Sequence, residues 1–304
     1  MKIVMTGSSG LIGSALLPLL TGEGHQVVRL VRRPTAPGEE AAVWDPDAGK
    51  LELSALEQTD AVVHLAGENI GAARWTEERK KHMRESRVRG TRLLSETLAR
   101  LAVPPRVLVS ASAVGFYGSR GDEVLTEESS AGAGYLAEVC KEWEAATDPA
   151  RQKGIRVVNL RTGMVLSGKG GALTAMLPAF RMGAGGKVGD GRQFVSWIAL
   201  DDLTRAISHA LTHQSLSGPV NAVSPNPVRN LEFTETLGKV LGRPTFLSMP
   251  APFVRLIFGE MADALLLASQ HTQPTRLLGS GFAFRFPDLE AALRQEIEEH
   301  RSAD

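Results

Sequence analysis

Cysteine is almost absent. One residue, Cys140, in 304 leaves no internal disulfide to form, and no Cys/His spacing matches a zinc site. Net charge is absent as well, since Lys+Arg and Asp+Glu each number 34. A general nucleic-acid or acidic-membrane binder needs a basic excess, so the balance argues against both partners. No apolar run is long enough to span a bilayer. The opening MKIVMTGSSG has no signal-peptide cleavage site and goes straight into a strand and a glycine turn. A cytoplasmic protein is the expectation. Tyrosine is scarce too, with only Tyr117 and Tyr135. Hydrophobic residues are plentiful at 43%, which excludes a disordered chain. At this length about 75% of the unfolded surface can be buried, so core size is not limiting.

The first two-thirds alternate short apolar runs with helix-length segments. Lys2–Thr6, Gln26–Val31, Ala61–Leu65, Val107–Ser112 and Arg156–Leu160 are rich in Val, Ile and Leu and lack polar alternation. Strands buried on both faces read this way. Leu11–Thr21, Glu77–Leu101 and Tyr135–Arg151 lie between them as helices. Repeated β-then-α units predict an α/β fold, a Rossmann-type doubly wound parallel sheet. After Arg161 glycines crowd residues 168–191, and residues 219–304 hold short helices broken by prolines. The expected division is a dinucleotide domain over 1–167, with 193–215 contributing. A smaller, mostly helical C-terminal substrate module takes 168–192 and 216–304.

Thr6-Gly7-Ser8-Ser9-Gly10-Leu11-Ile12-Gly13 follows the first strand and opens the first helix. The spacing G-x-x-G-x-x-G suits a dinucleotide. Gly7 makes the sharp turn, Gly10 lets a pyrophosphate approach the backbone, and Gly13 lets helix and strand pack closely. Free N–H groups at the helix start then face the phosphate. An NAD site carries an acid about 20 residues on, at the ribose hydroxyls. Here the second strand ends Val31-Arg32-Arg33-Pro34, with no acid. Two guanidiniums suit a 2′-phosphate, so NADP is the expected cofactor, with Arg32 as main contact and Arg33 second. A solvated basic turn is the alternative.

The chain resembles the short-chain dehydrogenase/reductase superfamily in its extended or atypical branch, and more closely the uncharacterised epimerase-family proteins. The marks are TGSSGLIG (6–13), HLAGENI (64–70), SASAVGFYG (110–118), EVCKEWE (138–144), LRTGMVLS (160–167), GDGRQFVSWI (189–198) and GFAFRFPDL (281–289). The last resembles that family's C-terminal domain of unknown function. The resemblance implies NADP(H) on the sheet and a small-molecule substrate under the C-terminal module. It places Leu65, Ala66 and Gly67 beside the nicotinamide-side ribose and phosphates, and Arg161 at a strand end near the cofactor. Packing at a strand end and an ordinary ion pair are the respective alternatives. Dimers recur in the superfamily, which leaves a homodimer open by analogy.

The same resemblance calls for a Ser, a Tyr and a Lys four residues after the Tyr, with the Tyr moving the proton. Here the residue four before Lys141 is Ala137. Tyr135 is six before it, about 600° around the helix and on a different face. Ser112 aligns with the family serine and Tyr117 is the surviving phenol, so these two are the catalytic candidates. Tyr117 as a loop aromatic and Ser112 as a strand-end backbone ligand are the alternatives. Arg87 stands where the branch usually has Asn. Arginine cannot serve as a base near neutral pH but can grip a phosphate or carboxylate. His82, on the same helix, is a further cofactor-side candidate. His64 reads as a core group. Asp45 either meets the adenine or caps a turn. No metal site is expected. Two functions compete: hydride transfer on a small polar carbonyl or hydroxyl substrate, and an NADP(H)-binding sensor or interaction protein with little chemistry.

Overall fold

The computed structural model describes residues 1–36 and 38–301, with the side chains of 299–301 left out. Eight strands form the main sheet: β1 (Lys2–Thr6), β2 (Gln26–Val31), β3 (Ala41–Asp45), β4 (Lys50–Leu51), β5 (Ala61–His64), β6 (Val107–Ala113), β7 (Arg156–Thr162) and β8 (Gly218–Ala222). Their order is β8-β7-β6-β5-β1-β2-β3-β4, and all neighbours are parallel except the β3–β4 pair. The order reverses between β1 and β5, where open α/β sheets bind their ligands at the strands' carboxyl ends.

Strand alternation divides the core. Ile3, Met5, Val63, Val109 and Val158 point to one face, against Leu16 and Leu20 of α1 (Leu11–Gly22). Val4, Val62, Leu108 and Val157 point to the other, against Leu94 and Leu98 of α2 (Glu77–Arg100). Each such side chain contributes about 1.5–3 kcal/mol on burial. Trp44 packs on α2 at Gly90, with Cη2 3.5 Å from where a Cβ would stand, an ordinary van der Waals contact.

The segment expected to be one helix over Tyr135–Arg151 is two. α3 (Tyr135–Ala145) stops before Pro149, and α4 (Asp148–Gln152) starts with that proline in its first turn. Residues 216–222 do not join the C-terminal module: Gly218–Ala222 is β8, the sheet's edge strand, in register with β7. Gly218, Pro219 and Asn221 leave it without a continuous apolar run. β3 and β4 also escaped, being short and half exposed.

Helix α5 (Gly171–Arg181) buries Leu177 and Phe180 in a second core with Trp197, Phe233 and Leu293. Helix α6 (Leu200–Thr212) covers α1's face of the main sheet. Its Asp202, fully buried, accepts hydrogen bonds from the backbone N–H of Arg285 (2.8 Å) and Phe286 (2.9 Å) and from Arg205 Nη1 (3.0 Å). That is what the GFAFRFPDL stretch does: it straps the chain's last segment onto α6. The apolar segment 249–268 is not one helix: it breaks at Gly259 (φ +60°), where a Cβ would stand 3.1 Å from Arg74 Nε. No helix among the described residues is long and apolar enough to cross a membrane.

Candidate dinucleotide site

The glycine turn is sealed by its own backbone. Gly7 has φ +70°, and a Cβ there would lie 2.7 Å from Leu65 C and 2.8 Å from Ala66 N. A Cβ on Gly13 would lie 2.1 Å from Gly7 O. Gly10 is different: the nearest atom to its Cβ position is Gly7 O at 3.4 Å, so packing within the protein does not demand glycine there. Ser8 is buried, Ser9 and Gly10 are exposed, and Leu11 and Ile12 are half-buried. The N–H groups of the first turn, Leu11 to Gly13, have no intrahelical acceptor.

The Leu65-Ala66 turn is held by Thr6. Thr6 Oγ1 accepts from Leu65 N (3.1 Å) and Ala66 N (3.2 Å), and meets His64 Nδ1 at 2.8 Å. With both lone pairs taken, the threonine donates its proton to Nδ1. His64 is then the neutral tautomer with hydrogen on Nε2, which donates to Thr91 Oγ1 at 2.9 Å. Trp143 Nε1 donates to the same oxygen at 2.9 Å. Burial pushes the His64 pKa down to about 4. His64 is a satisfied interior group.

At the end of β2, Arg33 is committed. Its guanidinium pairs with Glu39 at 2.5 Å, and Arg29 joins the same carboxylate at 2.7 Å. Arg32 is exposed and makes no hydrogen bond or ion pair among the described residues. Asp45 caps a turn, accepting from Asp47 N and Ala48 N, each at 3.1 Å.

Arg87 reaches from α2 to the loop after β5. It donates to Glu68 O (2.7 Å) and Met83 O (3.0 Å), lies beside Gly67 and faces the Trp143 ring at 5.1 Å. No carboxylate hydrogen-bonds to it among the described residues, and burial lowers its pKa. His82 is mostly exposed and sits 2.8 Å from Glu68, which also faces Arg79 at 3.4 Å.

The ends of β6 and β7 hold a closed polar group. Ser112 and Arg161 are register partners on neighbouring strands. Ser112 Oγ donates to Glu144 Oε1 at 2.7 Å, and Arg161 grips Glu144 through Nε and Nη2, both at 2.8 Å. Arg161 Nη1 donates to the Tyr117 hydroxyl at 3.0 Å, which donates to Asn221 Oδ1 at 2.7 Å. The guanidinium also covers the Phe116 ring at 3.4 Å. Arg161 lies at the end of β7 with Nε, Nη1 and Nη2 each donating inside the protein. Tyr117 is 0% exposed. The expectation that its phenol handles a substrate oxygen does not match this position: its hydroxyl serves β8 and β7. Burial raises its pKa above the ordinary phenol value.

Tyr135 is equally engaged, donating to Lys80 O. Ala137 is buried and Lys141 exposed on α3. Glu144 was missed by the sequence reading. The signal was its spacing: seven residues after Ala137, it repeats a helix face that is otherwise buried at Ala137 and Cys140. Burial pushes the Cys140 thiol up to about 12, which leaves it inert. Among the described residues no group of His, Cys, Asp and Glu could hold a metal ion.

The sequence matches the NAD dependent epimerase/dehydratase family over residues 3–222, and a domain of unknown function, DUF1731, over 249–296. It is 46% identical over 291 residues to an epimerase family protein of Mycobacterium bovis, covering 96% of each chain. The fold superposes on the crystal structure of human epimerase family protein SDR39U1 with NADPH. The TM-score is 0.88 at 34% identity, over 98% of this chain and 99% of that one. It also matches a nucleoside-diphosphate sugar epimerase from Corynebacterium glutamicum with TM-score 0.81 and 40% identity. That match covers 99% of this chain and 61% of the other.

Proposed function

Because the chain belongs to the NAD dependent epimerase/dehydratase family, we propose that it is an NADP(H)-binding oxidoreductase or epimerase-like protein. Its reaction is hydride transfer on a small polar carbonyl or hydroxyl substrate. The observation that carries this is the contrast within the glycine turn. Gly7 and Gly13 are demanded by the protein's own backbone, whereas Gly10 is not and borders the helix N-terminus. A pyrophosphate over Gly10 accounts for it. The residues fit the cofactor: Arg32 is free to meet a 2′-phosphate and Arg33 stands next to it, held by Glu39. Leu65, Ala66 and Gly67 border the turn, and Arg87 offers a cation with no hydrogen-bonded carboxylate among the described residues. Bound NADP(H) would supply or take up the hydride. The human relative's structure with NADPH supports the same cofactor.

The second reading is a binding protein with little chemistry. Two placements favour it: Ala137 where the superfamily has its tyrosine, and Tyr117 sealed from solvent.

Titration with NADPH and NADH, followed by nicotinamide fluorescence, tests the proposal. Hydrogen bonds to a charged group contribute about 1.5–3 kcal/mol, so Arg32→Ala should weaken NADPH binding about 10- to 100-fold. NADH affinity should stay within about twofold. Equal affinity for both cofactors in the wild type, or no binding, defeats the NADP assignment.

A further inference from the structure

The sheet's carboxyl edge beyond the switch point, at β5, β6 and β7, takes the second half of a dinucleotide. The hydroxyl of Ser112 is the polar group at the end of β6, and its direction is fixed. Its proton goes to Glu144 Oε1 at 2.7 Å. Arg161 donates to both oxygens of that carboxylate through two parallel bonds of 2.8 Å, so both oxygens act as acceptors here. Only the serine's lone pairs remain, so the hydroxyl can accept a further hydrogen bond but not donate one. A substrate carbonyl needs a donor and a substrate alcohol needs an acceptor. The two phenols of the chain are both engaged elsewhere, Tyr117 with Asn221 and Tyr135 with Lys80 O. Glu144 retains one unused acceptor position on Oε2, and its side chain keeps 12% of its surface exposed.

We propose that Ser112 and Glu144 form the acid–base couple of this site, Ser112 accepting an alcohol group of the substrate and Glu144 taking up the proton. In the oxidation direction the alcohol's O–H proton passes to Ser112 Oγ as the serine's own proton passes to Glu144 Oε1. The C–H bond breaks with its electron pair going to the oxidised nicotinamide, and C=O forms. Reduction reverses each transfer, with protonated Glu144 as the proton source. Arg161 is a positioning residue that aims the carboxylate. The inference rests on the cofactor reading above and adds the group class, an alcohol, and the acid–base residues.

The test uses binding alone, with NADP⁺ and NADPH as probes. The two differ in that the oxidised ring is cationic. A carboxylate facing the ring favours NADP⁺, and one that only braces the fold does not discriminate. Glu144→Gln should therefore raise the ratio Kd(NADP⁺)/Kd(NADPH) about tenfold, which is about 1.4 kcal/mol. Glu144→Asp, keeping the charge, should return the ratio to within about threefold of the wild type. Ser112→Ala leaves the carboxylate in place and should hold the ratio within about twofold. Thermal melting of each variant separates a fold defect, which lowers both affinities together. A ratio unmoved in Glu144→Gln, or moved equally in Glu144→Asp, removes Glu144 from the reacting centre and overturns the proposal. A wild type that binds neither cofactor defeats the cofactor reading first, and the couple with it.

Discussion

The two ends of the carboxyl edge are finished in opposite ways. Around Gly7–Gly13 the protein leaves backbone N–H groups unpaired at a helix start, and Arg32 free of ion pairs among the described residues. Around Ser112 and Arg161 side chains are matched to one another: serine to glutamate, glutamate to arginine, arginine to tyrosine, tyrosine to asparagine. The first end is built by what the backbone leaves open, which suits a ligand recognised through its phosphates. The second is built by committed side-chain pairs, so its chemistry belongs to this particular set of residues.

The largest expected effect breaks the first end outright. Gly13→Val puts a Cβ 2.1 Å from Gly7 O. NADPH affinity should fall more than a thousandfold, about 4 kcal/mol, with NADH affected alike, as read by fluorescence titration. A mild loss there means the turn is not the phosphate cradle.

The next concerns the buried histidine joining the two ends. His64 has its folded pKa depressed to about 4 from an unfolded value of 6.5. Between those pH values the unfolded state binds more protons, so stability is present above 6.5 and is lost as pH falls through 4. The loss amounts to roughly 3 kcal/mol over that interval. Denaturant midpoints measured from pH 7 to pH 4 should fall more steeply in the wild type than in His64→Gln. Parallel slopes contradict the neutral tautomer.

Tyr117→Phe comes third and sharpens the comparison. It leaves Asn221 Oδ1 and Arg161 Nη1 each short of a partner in the interior. The expected cost is about 1–3 kcal/mol of stability in a urea melt, with NADPH affinity within about twofold. A large loss of affinity without loss of stability would return the phenol to the reacting centre.

The smallest effect is at Asp45, which caps a turn at the far edge of the sheet. Asp45→Ala should cost about 1 kcal/mol of stability and leave NADPH binding unchanged. A selective drop in affinity would assign Asp45 to the adenine instead.

The same contrast explains what the sequence made legible. Five of the sheet's strands read as short apolar runs because both faces are buried, and the glycine spacing read as a turn because the constraint is local. β8 did not, since Gly218, Pro219 and Asn221 interrupt its apolar pattern. The Ser112 group was half visible: its serine and arginine sit at strand ends, but the residues that define their roles lie 32, 17 and 104 positions apart along the chain. No periodicity links positions so separated. Glu144 looked like one more charge on a helix, and Tyr117 looked available because burial depends on β8 and β7 arriving beside it.

The strap at Asp202 bears on the order in which the molecule can be completed during synthesis. Asp202 emerges from the ribosome some eighty residues before the backbone groups of Arg285 and Phe286 that satisfy it. Until then Arg205 is the one of its three partners at hand, so burying the carboxylate as α6 seats on the sheet lacks two hydrogen bonds. Leu277 and Phe282 of the same late segment fill the main core. The main sheet therefore reaches its final packing only after residues 277–286 have emerged, and a nascent chain stalled before residue 277 should remain open to proteases.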